Sequence, residues 1–296
     1  VPDGGPQPGH HLAITPYPFG DASRENPSHF VGERVDLFAL PSGAPNPVVR
    51  PASGHLSDPD MVYVESTGEL WLYYRQVTSD NIVLLTRTTD GVRWSAPLEV
   101  VRAPNHQVVS QTVVRRGEGD WWMWAVNAGP SGCGAPSTTV EVRRSADGTN
   151  WSAAERVALR HESLFPWHLE VQWLPSRGEF WALYNVKEPG DCATPALYLA
   201  TSPDGITWTA VGQPVLTRGR IPELGDIVYR SSFQYDPVTD AITFWYSGAR
   251  HSSGASYVWN AAVERRRREE VFAPAAALRL GPETWGRPPA KLLDGP

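Results

Sequence analysis

Thr88-Thr89-Asp90-Gly91-Val92-Arg93-Trp94 returns as Ser145-Ala146-Asp147-Gly148-Thr149-Asn150-Trp151 and again as Ser202-Pro203-Asp204-Gly205-Ile206-Thr207-Trp208. The aspartates at 90, 147 and 204 stand 57 residues apart both times. Asp-Gly is a tight-turn signal: glycine accepts a positive φ, and the aspartate bonds to backbone just downstream. The Trp three residues after each glycine can fold back over the turn. Each copy follows a strand-like stretch (82–87, 139–144 and 197–201), so the turn joins strands rather than helices.

Upstream of each turn lies an apolar run. Leu70-Trp71-Leu72-Tyr73-Tyr74 is matched by Trp121-Trp122-Met123-Trp124-Ala125, Phe180-Trp181-Ala182-Leu183-Tyr184 and Ile242-Thr243-Phe244-Trp245-Tyr246. Continuous apolar runs of this length read as strands buried on both faces. A third element precedes each run, at 60–64, 111–115, 170–174 and 232–236. Four antiparallel strands in a unit of about 50–57 residues is the repeat of a β-propeller blade. Units fall at roughly 55–104, 105–160, 161–218 and 226–273; the last lacks the Asp-Gly turn. The first 54 residues and 274–296 are too short for separate cores. They predict a closing fifth blade, which makes residues 1–296 one all-β domain, a five-bladed propeller of four-stranded antiparallel blades.

The composition agrees. Gly and Pro together supply 54 of 296 residues, and Trp supplies 13. A net charge of −6 and a pI near 5.8 disfavour nucleic acid as a partner, since like charges repel. The run Arg265–Arg268 is balanced by Glu269 and Glu270 and reads as an exposed outer strand. No apolar stretch reaches the ~18 residues of a membrane span. Phosphate-binding, dinucleotide and G-x-S-x-G signatures are absent from the sequence.

In a four-stranded meander the Asp-Gly turns share one face of the disc, and their residue types suit a structural role. The opposite face carries the polar loops 75–81, 127–137, 187–195 and 247–256, and long loops on a rigid scaffold commonly hold function. Cys133 and Cys192 fall in neighbouring loops of that face. A Cys133–Cys192 disulfide is therefore expected, and with it a secreted or periplasmic location. Aligning the inner strands back from their hairpins puts Asp60, Gln111, Glu170 and Ser232 at one level, with Asp58, Val109, His168 and Arg230 two residues earlier. Residues i and i+2 of a strand share a face. Acidic side chains, a histidine and an arginine thus meet around the channel, where charge is costly unless paired or put to use.

At these residues the chain resembles the five-bladed propeller glycosidases, of the glycoside hydrolase family 43 and 32 type. The carriers are Ser57-Asp58-Pro59-Asp60 entering an inner strand, the run 70–74 after a Gly hairpin, and the Asp-Gly-x-x-Trp turns. The resemblance implies a carbohydrate substrate and a pair of catalytic carboxylates, Asp58 or Asp60 as base or nucleophile and Glu170 as acid. His168, Arg230, Gln111, Trp167, Arg75, His55 and Ser232 would position the sugar. Gln111 stands where family 43 has an aspartate, and Val171-Gln172 follow Glu170 where that family commonly has Gly-Pro. Such propellers sometimes hold calcium in the channel, but no compact metal-ligand spacing occurs, and no cofactor is expected. The alternatives are a propeller that binds glycan or protein without catalysis, and a polysaccharide lyase using His168 as base.

Overall fold

The computed structural model describes residues 1–2, 7–17, 21–161, 164–191, 194–251 and 257–273. Five antiparallel sheets form a ring, a five-bladed β-propeller. Blade one comes from the N-terminal segment: β1 (His10–Ile14), β2 (Ser28–Arg34) and β3 (Leu37–Ala39). The part of a closing blade expected from 274–296 lies outside the described residues. Blade two is β4 (His55–Val64), β5 (Glu69–Val77), β6 (Asp80–Thr88) and β7 (Leu98–Pro104). Blade three is β8 (Val109–Gly117), β9 (Asp120–Asn127), β10 (Thr139–Ser145) and β11 (Glu155–Arg156). Blade four holds β12 (Phe165–Leu174), β13 (Glu179–Lys187), β14 (Ala196–Ser202) and β15 (Thr209–Ala210), with β16 (Leu216–Thr217) also on β14. In blade five, β17 (Ile227–Val228) and β18 (Ser232–Asp236) pair with one edge of β19 (Ala241–His251), and β20 (Tyr257–Arg267) pairs with the other. The short helix α1 (Arg268–Phe272) follows.

The apolar second strands are buried, as their composition requires: Leu72, Tyr73, Trp124 and Trp181 are fully enclosed. Separate apolar clusters fill the seams between blades two and three, three and four, and four and five. The repeated turns lock the seams. In each, the aspartate Oδ1 accepts two backbone N–H groups: Val92 and Arg93 to Asp90, Thr149 and Asn150 to Asp147, Ile206 and Thr207 to Asp204. Each turn then sits on the preceding blade. Tyr73 donates to the Gly148 carbonyl at 2.9 Å, and Trp124 Nε1 donates to that of Gly205 at 2.9 Å. The ring closes where Trp245 Nε1 donates to the Val35 carbonyl at 2.7 Å, joining blades five and one.

Candidate functional site

The inner strands share one irregularity. Pairing slips by a residue between Ser57 and Asp60 on β4, Val109 and Thr112 on β8, and Pro166 and Leu169 on β12. In blade five the inner edge breaks between Val228 and Ser232 and resumes one residue out of step. Bulges of this kind bend a strand and re-aim its side chains, commonly beside active sites. Asp58, Ser110, His168 and Arg230 all lie in these breaks. Asp58 and Ser110 have φ of 52° and 53°, the left-handed region that non-glycine residues rarely enter. Pro59 is tolerated here because a bulge frees its neighbours from the ladder.

Cross-strand partners correct the sequence alignment on blade three. Tyr73, Trp124, Leu183 and Trp245 stand opposite Asp60, Thr112, Glu170 and Ser232. Thr112 therefore shares the level of Asp60 and Glu170, and Ser110 replaces Val109 at the level of Asp58. A second bulge between Arg115 and Gly117 moves Gln111 out of step. Gln111 is fully buried, and its Nε2 donates to the Asp58 carbonyl. Thr112 and Ser110 join the blades instead: their hydroxyls accept the N–H of Val171 at 3.1 Å and of Leu169 at 3.3 Å.

Arg230 ties the inner strands together. Its Nη2 lies 3.4 Å from Glu170 Oε2, 3.9 Å from Asp60 Oδ1 and 3.1 Å from the Gln111 carbonyl. Asp60 Oδ2 accepts the Val113 N–H at 2.5 Å, and Ser232 hydrogen-bonds Glu170. Burial and the neighbouring Glu170 charge push the Asp60 carboxyl well up. Burial likewise raises Glu170, against the pull of Arg230.

Nearer the loops lies a third carboxylate, Asp58. Burial opposes the charge on Asp58, yet Arg75 Nε at 2.9 Å, Arg230, and the Ser110 N–H at 3.1 Å hold its carboxyl down at about 2. Arg75 is itself fixed by two hydrogen bonds to Ser57 Oγ. His168 Nδ1 and Arg230 Nη1 each approach Asp58 Oδ1 to 3.8 Å, too far for a hydrogen bond, and neither nitrogen has a protein partner. Burial keeps His168 neutral, with its pKa down at about 3.

The residue that completes this cluster carries no sequence signal. Glu25, from the connection between β1 and β2, lies 3.5 Å from His55 Nε2. Burial and the Asp58 charge push its carboxyl up to about 8, partly countered by Arg75. Glu25 and His55 keep 19% and 25% of their side-chain surface exposed, against 15% for Glu170, 7% for Asp58 and 6% for Asp60. They are the most exposed of these five side chains. Trp167 belongs to the apolar cluster between blades three and four. Cys133 packs against that cluster, while Cys192 lies outside the described residues. Guanidinium groups already face Asp58 and Asp60, so these carboxylates do not form a free donor pair for calcium. Among the described residues no group of three or more His, Cys, Asp or Glu could hold a metal ion. No helix among them is long and apolar enough to cross a membrane.

Fold and site together define a five-bladed propeller of the kind found in carbohydrate-acting enzymes, with buried, charge-compensated acids at the channel. No protein-family model matches the chain. It is 26% identical over 299 aligned positions to the A type blood N-acetyl-α-D-galactosamine deacetylase of Flavonifractor plautii, a match covering 85% of this chain and 37% of that protein. The chain thus spans little more than a third of that relative's length. Its fold superposes with a TM-score of 0.79 on an F. plautii N-acetylgalactosamine deacetylase solved with blood group B trisaccharide, at 24% identity over 86% of this chain and 84% of the other. A thermostable family-43 glycoside hydrolase superposes with a TM-score of 0.64 at 11% identity, over 93% and 92% of the two chains. The propeller-glycosidase resemblance read from the sequence thus holds for the fold.

Proposed function

We propose that this chain is a carbohydrate-acting hydrolase that removes an acyl group from an amino sugar, with Glu25 as general acid–base. One observation carries the reading: Glu25 is a reachable carboxyl titrating at about 8, beside His55 and the ionised Asp58. Amide hydrolysis needs a group that takes a proton from water and then hands it to the departing amine. A carboxyl poised near neutral pH can do both. Arg75 and Arg230 supply positive charge where an oxyanion would develop. The sequence likeness to a sugar deacetylase over most of this chain supports the same reaction class.

A second reading is paired-carboxylate glycoside hydrolysis, with Asp58 or Asp60 as base or nucleophile and Glu170 as acid. It is favoured by the convergence of Asp60 and Glu170 on one nitrogen of Arg230. It ranks second because Asp60 is enclosed and already bound to a backbone N–H.

The two readings separate in one experiment. A panel of N-acetylated and unacetylated glycans, including blood group A and B trisaccharides, is incubated with the protein. Released acetate and new reducing ends are measured independently. Acetate release that disappears in Glu25→Gln and survives in Glu170→Gln supports deacylation. Reducing ends that disappear in Glu170→Gln and Asp60→Asn support glycoside hydrolysis. Full acetate release by Glu25→Gln would remove Glu25 from the chemistry. We assign the protein to a compartment outside the cytoplasm, with Cys133 and Cys192 joined. Alkylation that requires prior reduction is the expected mass-spectrometric result.

A further inference from the structure

We infer that Tyr17, Trp259 and Tyr229 form a sugar-stacking wall, with Trp259 carrying the ring next to the one that reacts; the inference builds on the carbohydrate reading above. The three rings run outward from the charged cluster. Tyr229 packs against His168 with centroids 4.4 Å apart, Trp259 against Tyr229 at 5.0 Å, and Tyr17 against Trp259 at 5.9 Å. Both contacts of Trp259 are edge-on, with interplanar angles of 69° and 70°. The wall also borders the acids: the Glu25 charge acts on both Tyr17 and Tyr229, and the Asp58 charge on Tyr229.

These rings are not core. Among the described residues, the apolar clusters that hold the blades together contain none of the three. Trp124 and Trp181 are fully enclosed, whereas Tyr17, Tyr229 and Trp259 all remain partly exposed. A pyranose suits these partly exposed rings, because its C–H face covers the face of an aromatic ring. The order of the rings sets the arrangement. Tyr229, against His168 and Asp58, borders the reacting sugar, while Trp259 lies one ring further out. The site should therefore bind an oligosaccharide better than its terminal monosaccharide.

Calorimetric titration tests this without requiring turnover. Blood group B trisaccharide and galactose are titrated into the Glu25→Gln protein and into the same protein carrying Trp259→Ala or Trp259→Phe, with folding checked by near-UV circular dichroism. Losing an aromatic anchor weakens trisaccharide binding about tenfold or more. Trp259→Phe should retain most of it, and galactose binding should not change. Trisaccharide affinity that is equal in Trp259→Ala, or a fall that is the same for both sugars, overturns the outer-ring assignment. So does failure of the unsubstituted Trp259 protein to bind the trisaccharide or any oligosaccharide on a glycan array. Binding that depends on Trp259 in a protein releasing neither acetate nor sugar would uphold the wall and reject the hydrolase reading.

Discussion

Asp60 and Glu170 belong to blades two and four, yet both face the same nitrogen of Arg230, at 3.9 and 3.4 Å. Arg230 comes from a third blade, so three inner strands are bound into one electrostatic unit across the channel. Two acids raised by burial around one guanidinium form an arrangement that is stable only with its cation in place.

Arg230→Gln should therefore destabilise the fold by on the order of 2–4 kcal/mol at neutral pH, because two buried carboxyls lose their counter-charge. Both carboxyls already sit high, and removing Arg230 raises them further. The deficit should shrink as the solution is acidified and both take up protons. Urea unfolding of the two proteins at pH 5 and pH 8 measures this. A deficit independent of pH would mean that Arg230 acts through packing alone.

Glu25 predicts an opposed effect on stability and activity. Its carboxyl titrates near 4.5 when unfolded and about 8 when folded. Between those values the folded chain keeps a proton that the unfolded chain has lost, so this group lowers stability as pH rises through the window. Glu25→Gln should raise the unfolding free energy, read from urea unfolding, at pH 8.5 more than at pH 5, by on the order of a few kcal/mol at most. It should also abolish turnover. Where Glu25 acts as the base, kcat should rise with pH to a plateau with an inflection near 8.

Asp58 has the opposite sign. Its carboxyl is depressed from 3.8 to about 2, so it contributes stability that is present above pH 4 and lost as pH falls towards 2. Asp58→Asn should flatten the acid limb of the stability curve. An acid limb identical to that of the parent would mean that the Arg75 pair is not formed in solution.

Gly148→Ala tests the turn that seals blade three onto blade two. Gly148 has φ of 74°, and an added Cβ would meet Trp71 at 2.8 Å and Tyr73 Oη at 2.9 Å. Left-handed strain and the displaced ring together should cost about 2 kcal/mol or more. Gly68→Ala meets nothing within 4 Å at a similar φ of 65° and serves as the control for strain alone. Equal losses would show that the seam contact adds nothing.

Lys187→Met should be strongly destabilising although no carboxylate is lost. The fully buried ammonium donates to the carbonyls of Cys133, Ala135 and Asp191 at 2.7, 2.9 and 3.2 Å, pinning two neighbouring loops. Its removal leaves those acceptors unsatisfied, at about 1–3 kcal/mol each at most. Hydrogen exchange at 133–135 should accelerate more than in the blade strands.

The propeller was legible in the sequence because its signals are local. An Asp-Gly turn, a strand buried on both faces and a 57-residue period each reflect chemistry within a few residues, and repetition made them unmistakable. The levels of Asp58, Asp60, His168, Glu170 and Arg230 followed from counting back along strands from their hairpins. Counting failed on blade three, where the bulge at Arg115 puts Thr112 at the level given to Gln111. A bulge is selected by packing against neighbouring strands and leaves no fixed residue pattern. Glu25 was invisible for a related reason: it lies in a connection outside the repeat, and only ring closure brings it to His55 and Asp58. The sequence by itself determined which strands form and how they alternate. Tertiary structure alone decided which acids are buried, which arginine each one faces, and which carboxyl a ligand can reach, because burial and charge pairing depend on distances that only the closed ring sets.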